Sequence, residues 1–269
     1  NYLLLKDYDR ALQSARTANS PQNKAALDYI AKISHEKGDH LEEVRALEIL
    51  KLEDRPSPAF YGRLAEAYDE IGKKEEVIKY YRLSISEAPK YEKSYEGLYH
   101  YFLKKENFYD ARLILIETIE KFGSKPKWLN EYCRMEIEQK YFDNAKNICQ
   151  QAILASPKHA ENHVYLALAF KYTEAEDQAR KILFTAAKRF KKSEVTQREA
   201  GMMSQKINNY ELSETHFGNC VKANPKAGDC FLELAKAQFN LKKYEDALNS
   251  FIKSCPFIKE SELEIRKHA

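Results

Sequence analysis

The feature that most restricts what this chain can become is a unit that returns every 34 residues. Its cleanest copy runs from Pro58 to Tyr91, PAFYGRLAEAYDEIGKKEEVIKYYRLSISEAPKY. The first half spaces Tyr61, Leu64, Ala65 and Tyr68 by threes and fours, so they share one face of a helix. Gly72 then interrupts the pattern, because glycine suits the end of a helix better than its interior. A second apolar stripe follows in Val77, Tyr81, Ser84 and Ile85, and Pro89, which has no N–H to continue a helix, ends it. Each helix has a single apolar face. The pair therefore folds as a hairpin that still exposes apolar surface, which only a neighbouring copy can cover. Ala65 and Ser84 are small enough to let the two backbones approach.

Stepping through the chain by 34 residues turns the single copy into columns. A leading residue stands at Leu27, Tyr61, Tyr95, Leu129, His163, Gln197 and Phe231. Three further on come Ile30, Leu64, Leu98, Tyr132, Leu166, Ala200 and Leu234, followed by the mostly small Ala31, Ala65, Tyr99, Cys133, Ala167, Gly201 and Ala235. Second helices carry Ala111, Ala145, Ala179 and Ala247, with Val77 and Ser213 substituting, and then Leu47, Tyr81, Leu115, Cys149, Leu183, Phe217 and Phe251. Seven copies in register cover most of the chain.

This spacing resembles the tetratricopeptide repeat, whose W-x2-L-G-x2-Y…A-x3-F…P pattern stands here as Tyr61, Leu64, Ala65, Tyr68, Val77, Tyr81 and Pro89. The resemblance implies an all-α fold, a right-handed superhelical α-solenoid of tandem helix-turn-helix hairpins. It places a partial repeat over residues 1–21 and the array over 22–257, with repeats near 24–57, 58–91, 92–125, 126–159, 160–193, 194–227 and 228–257. Residues 258–269 are expected to form a capping helix over the last apolar face. The first full repeat is atypical: Ser34 and Glu43 stand where the family prefers tyrosine and alanine. The sixth has the weakest core, with Gln197, Ala200 and Ser204 in place of large apolar residues and Met202 and Met203 expected to fill the gap.

Chemistry is sparse. His159 and His163 stand four apart around Glu161, but the first follows Pro157 in a turn and the second occupies the leading column, so both read as capping or packing residues. The remaining histidines have no cysteine or histidine at ligand spacing. No phosphate-binding glycine loop or nucleophile elbow occurs, and acid pairs such as Glu75/Glu76 suit a solvated helix face. The expectation is no catalytic residue, no metal site and no cofactor. Net charge is +3 (44 − 41), and the basic run Lys188, Arg189, Lys191 and Lys192 suits a helix C-terminus, so no nucleic-acid partner is expected. No apolar run approaches the ~20 residues that span a bilayer. The five cysteines form no C-x-x-C; Cys133, Cys149 and Cys220 fall in packing columns and read as buried reduced thiols, the alternative being a Cys220–Cys230 disulfide in an oxidising compartment. Reduced thiols point to the cytoplasm, with the periplasm as the alternative if a leader precedes Asn1. The opening Asn1–Leu5 reads as the tail of a helix that starts upstream.

Function is expected on the inner face, which the resemblance assigns to the first helices. Its positions follow the leading column by one, five and eight residues. They are acidic and polar early, as in Asp28, Gly62, Glu66, Asp69 and Glu96, and apolar and basic later. The expected partner site is Asn130, Arg134, Val164, Leu168, Arg198, Met202, Leu232, Lys236 and Phe239; the cations suit an acidic or carboxylate-bearing peptide or helical segment, and the apolar residues hold its side chains. The lysine and asparagine that grip a C-terminal carboxylate in the family's chaperone-binding members have no matching pair here. The leading expectation is a non-catalytic adaptor in a multiprotein assembly. The alternatives are the repeat portion of a longer signalling protein of the response-regulator kind, or an envelope- or pilus-assembly protein.

Overall fold

The computed structural model describes residues 13, 24–53 and 56–257. The expected capping helix over 258–269 lies outside them, as does the partial repeat over 1–21 apart from Gln13. The described residues are all-α, with fourteen α-helices and no strand. First helices begin at residues 24, 58, 92, 126, 160, 194 and 228, and second helices at 40, 74, 108, 142, 176, 210 and 244, so each set advances by 34.

The chain divides between Gly123 and Ser124 into two compact units. The first unit holds three hairpins: α1 (Lys24–Lys37) with α2 (His40–Glu53), α3 (Pro58–Glu70) with α4 (Lys74–Glu87), and α5 (Glu92–Lys104) with α6 (Phe108–Phe122). The second holds four: α7 (Pro126–Glu138) with α8 (Phe142–Ala155), α9 (Ala160–Lys171) with α10 (Glu176–Arg189), α11 (Glu194–Lys206) with α12 (Tyr210–Ala223), and α13 (Gly228–Asn240) with α14 (Tyr244–Ser254). A 3-10 turn, Cys255–Phe257, follows. Within the second unit α7, α9, α11 and α13 pack successively side by side, which lays the first helices along one continuous face.

Local chemistry fixes where helices start and stop. Ser57 caps α3 by accepting from the Phe60 N–H, with Pro58 in the first turn where its missing donor costs nothing. Asn107, Ser193 and Asn209 cap α6, α11 and α12 in the same way. Every turn between paired helices passes through a left-handed residue: Gly38, Gly72, Glu106, Lys140, Glu174, Asn208 and Lys242, with φ between 54° and 76°. In the α3–α4 turn the Gly72 N–H donates to the Asp69 carbonyl and the Lys73 N–H to the Tyr68 carbonyl, both at 3.0 Å. These two bonds satisfy carbonyls that the helix end leaves open.

The columns are the core. Leu64, Leu98, Leu115, Ala65, Ala111, Ala145 and Ala179 are fully buried, and so is Trp128. Burial of each large apolar side chain contributes ~1.5–3 kcal/mol. Small residues set the helix separation: a Cβ on Gly201 would meet the Phe217 ring at 2.8 Å. In the weak sixth repeat Met203 is buried, whereas Met202 is half exposed and does not fill the gap. Gln197 is fully buried there because it has partners, donating to the Ala187 carbonyl at 2.7 Å and lying 2.9 Å from His216 Nδ1.

The expectation of reduced thiols is corrected. Cys133 is bonded to Cys149 and Cys220 to Cys230, leaving Cys255 free. The first bridge joins α7 to α8, the two helices of one hairpin, and the second joins α12 to α13, the facing helices of consecutive hairpins. The packing columns that bring small residues together across helix pairs also bring these sulfurs together.

Candidate functional site

The nine residues expected to bind a partner all lie in the second unit, on α7, α9, α11 and α13. They fall into four groups. Val164 and Leu232 are 2% and 5% exposed and belong to the core. Asn130 accepts a 2.7 Å hydrogen bond from Asn162, which ties α7 to α9. Leu168 is half buried, while Met202 and Phe239 are 50% and 63% exposed, so these three carry the accessible apolar surface.

The three cations already have acidic neighbours. Arg134 pairs with Glu131 at 2.6 Å and Glu138 at 3.1 Å on its own helix. Arg198 lies 3.4 Å from both Glu194 and Asp229, the latter on α13. Lys236 pairs with Glu233 at 2.7 Å. These pairs are part exposed and individually worth ~0–1 kcal/mol, so an incoming carboxylate could compete for the cations at small cost.

Leu168 and Met202 meet at a cavity of about 200 Å³ between α9, α10 and α11. Its walls are Val164, Ala167, Leu168, Leu183, Met202 and Met203, with Lys171, Glu199 and Lys206 also lining it. The cluster beneath is alanine-rich, with Ala167, Ala179, Ala187 and Ala200. Ala200 stands in the column that holds leucine, isoleucine or tyrosine in every other repeat, and the missing side-chain volume leaves room. That substitution was the sequence signal for the cavity. The part played by Leu183 and Met203 was not legible, because both sit in core columns. Lys206 pairs with Glu176 at the start of α10. The first unit offers a different surface: a cavity of about 420 Å³ in it is lined by the ionisable Glu66, Asp69, Glu70, Glu96, His100 and Lys104 together with Tyr81 and Tyr101.

Of the histidine pair at the start of α9, His163 lies against Phe190 with ring centroids 5.2 Å apart. Burial pushes its pKa down, opposed by a hydrogen bond with the Pro157 backbone. His159 is the residue preceding α9 and approaches Glu161 at 3.0 Å, but makes no side-chain capping bond.

Comparison with known proteins agrees with this architecture. Residues 58–91 match the tetratricopeptide repeat family model. The C-terminal part of a tetratricopeptide repeat-containing protein from Cytophaga hutchinsonii is similar in structure, with a TM-score of 0.67 at 12% identity over 87% of this chain and 96% of that one. A tetratricopeptide repeat protein from Parabacteroides merdae gives 0.58 at 12% identity, over 90% and 96%. YrrB, described as a tetratricopeptide protein with an unusual peptide-binding site, gives 0.50 at 14% identity, over 70% and 97%. No curated protein matches the chain by sequence. Among the described residues the fold is a tandem array of seven helix-turn-helix hairpins, the architecture of tetratricopeptide repeat solenoids.

Proposed function

We propose that this chain is a non-catalytic interaction scaffold and that the first-helix face of its second unit receives a segment of a protein partner. The observation that carries this reading is the apolar cavity flanked by the accessible side chains of Leu168 and Met202. An apolar side chain of the segment would enter between α9 and α11, gaining ~1.5–3 kcal/mol on burial. Phe239 supplies a second apolar contact on the same row of helices. Acidic residues on the segment would compete with Glu131, Glu138, Glu194, Asp229 and Glu233 for Arg134, Arg198 and Lys236. Apolar contacts therefore set affinity, and charge sets register.

The test is affinity capture from the native source with the wild-type chain and with Leu168→Glu and Met202→Arg variants, each checked for unchanged helicity. The same prey proteins should be lost from both variants. Recovery of undiminished prey by both would remove this face from consideration.

A second reading concerns compartment. The two disulfides favour an oxidising environment and an envelope-assembly scaffold, since such bonds persist outside the reducing cytoplasm. Alkylation of intact cells followed by mass measurement tests it: only Cys255 should be modified without prior reduction. Modification of all five cysteines would place the protein among reduced thiols.

A further inference from the structure

The first hairpin carries a group that the sequence pattern does not explain. Glu43 on α2 is only 1% exposed and fills a column that elsewhere holds alanine, valine or serine. Across from it in the pattern, Ser34 replaces the large side chain of Tyr68, Phe102 and Phe170, and its hydroxyl is fully buried without a hydrogen-bond partner. The space left by the small residue is matched by the longer acid. Two imidazoles then converge on one carboxylate oxygen. His35, at the end of α1, places Nδ1 3.1 Å from Glu43 Oε2, and His40, at the start of α2, places Nδ1 3.1 Å from the same atom. The tight turn through Gly38 brings together histidines that stand five apart in sequence, one at the end of α1 and one at the start of α2.

We propose that His35, His40 and Glu43 form a binding site for a divalent cation of the zinc class. One ligand atom from each residue lies within 4.8 Å of the others. A tetrahedral zinc ion with bonds of ~2.0–2.1 Å separates its ligand atoms by about 3.3 Å, so both nitrogen–oxygen edges are already near their bound length. The imidazoles must close on each other, and His35 is free to do so because its side chain is 56% exposed. Two histidines and one carboxylate leave a fourth vertex for water or an incoming donor atom. The carboxylate is held from behind: Glu43 Oε1 lies 3.9 Å from Arg63 Nε on α3, and Arg63 Nη1 is anchored on Asp28 at 2.9 Å. That outer contact fixes the orientation of Oε2 toward the histidines. Ligation through Nδ1 requires each histidine to carry its ring proton on Nε2.

The site differs from the His159–His163 pair, of which His163 packs against Phe190 and His159 precedes α9 beside Glu161. It lies wholly in the first unit and is independent of the partner reading above. The experiment is calorimetric titration of the untagged full-length chain, disulfides intact and Cys255 replaced by serine, with zinc chloride, and with cobalt(II) as a spectroscopic probe. One equivalent should bind, with the visible absorption of tetrahedral cobalt and no thiolate charge-transfer band. His35→Ala and His40→Ala should each weaken binding at least about tenfold, and His159→Ala should leave it unchanged. Glu43→Gln keeps the side-chain volume and should behave like the histidine variants; if it fails to fold, the histidine variants decide. No uptake by the parent chain, or uptake that both histidine variants leave within about twofold, would overturn the proposal.

Discussion

His216 is nearly buried on α12, its Nδ1 2.9 Å from Gln197 and its ring stacked on Phe184 at 5.9 Å. Burial holds its pKa below the ordinary histidine value, and the same is true of His163. The unfolded chain therefore binds these protons more readily than the folded one. Stability is full above pH ~6.5 and declines as the pH falls below that value. Denaturant midpoints between pH 7.5 and 5.5 should show the decline, and His216→Gln should make it shallower; a wild-type midpoint that stays flat would contradict this. Carboxylates in the first unit act over a separate range. Burial alone would raise Glu48, but hydrogen bonds from Lys51, Tyr80 and Tyr68 outweigh it and keep its pKa low. Its stabilisation is present above the ordinary carboxylate pKa and is lost in acid below pH ~4. Residues such as these were the hardest to read from sequence. Glu43, Glu136 and Gln197 look like interruptions of an apolar stripe. Glu136 is nevertheless fully buried because Asn144 on the next helix donates to it at 2.7 Å, a partner that no periodicity reveals.

Among elements, the inter-helix turns show the clearest departure from local propensity. Gly38 and Gly72 supply the left-handed conformation at no steric cost, and Gly72 was legible as a helix stop. Glu106, Lys140, Glu174 and Lys242 adopt it with a Cβ, because the hairpin must close at that residue whatever side chain stands there. Lys140→Gly and Glu106→Gly should each stabilise the chain by up to about 1 kcal/mol, and Gly72→Ala should destabilise it by about 1 kcal/mol. Asn208→Gly should gain less, since asparagine visits this region more readily. Equilibrium denaturation of the four variants measures this directly, and a loss of stability in both Lys140→Gly and Glu106→Gly would show that the turns are not strained. The helices themselves were legible because their apolar stripes repeat at 34 residues and seven copies average out local exceptions. Of the sulfur pairs, Cys220–Cys230 stood only as the alternative to free thiols and Cys133–Cys149 was not foreseen, because facing columns report proximity without reporting oxidation.

For the whole molecule, stability and recognition come from one arrangement. Within each unit a hairpin leaves an apolar face that its neighbour covers, and where a column residue is short, as at Ala200 in the second unit, the covering is incomplete and a cavity opens between α9, α10 and α11. The general location of the site was legible from the change in character along the inner positions. Its division into core residues, paired cations and accessible anchors was not, since residues one turn apart on the same helix differ from 2% exposure at Val164 to half burial at Leu168. The central claim is that a protein partner occupies the second unit between α9 and α11. Its most direct test is site-specific photo-crosslinking in the native host, with a benzophenone side chain at Met202 or, as a control, at Tyr109, which is 71% exposed on α6. A discrete protein adduct should form from position 202 and be absent from position 109. Adducts from 109 alone, or from neither position, would contradict the account.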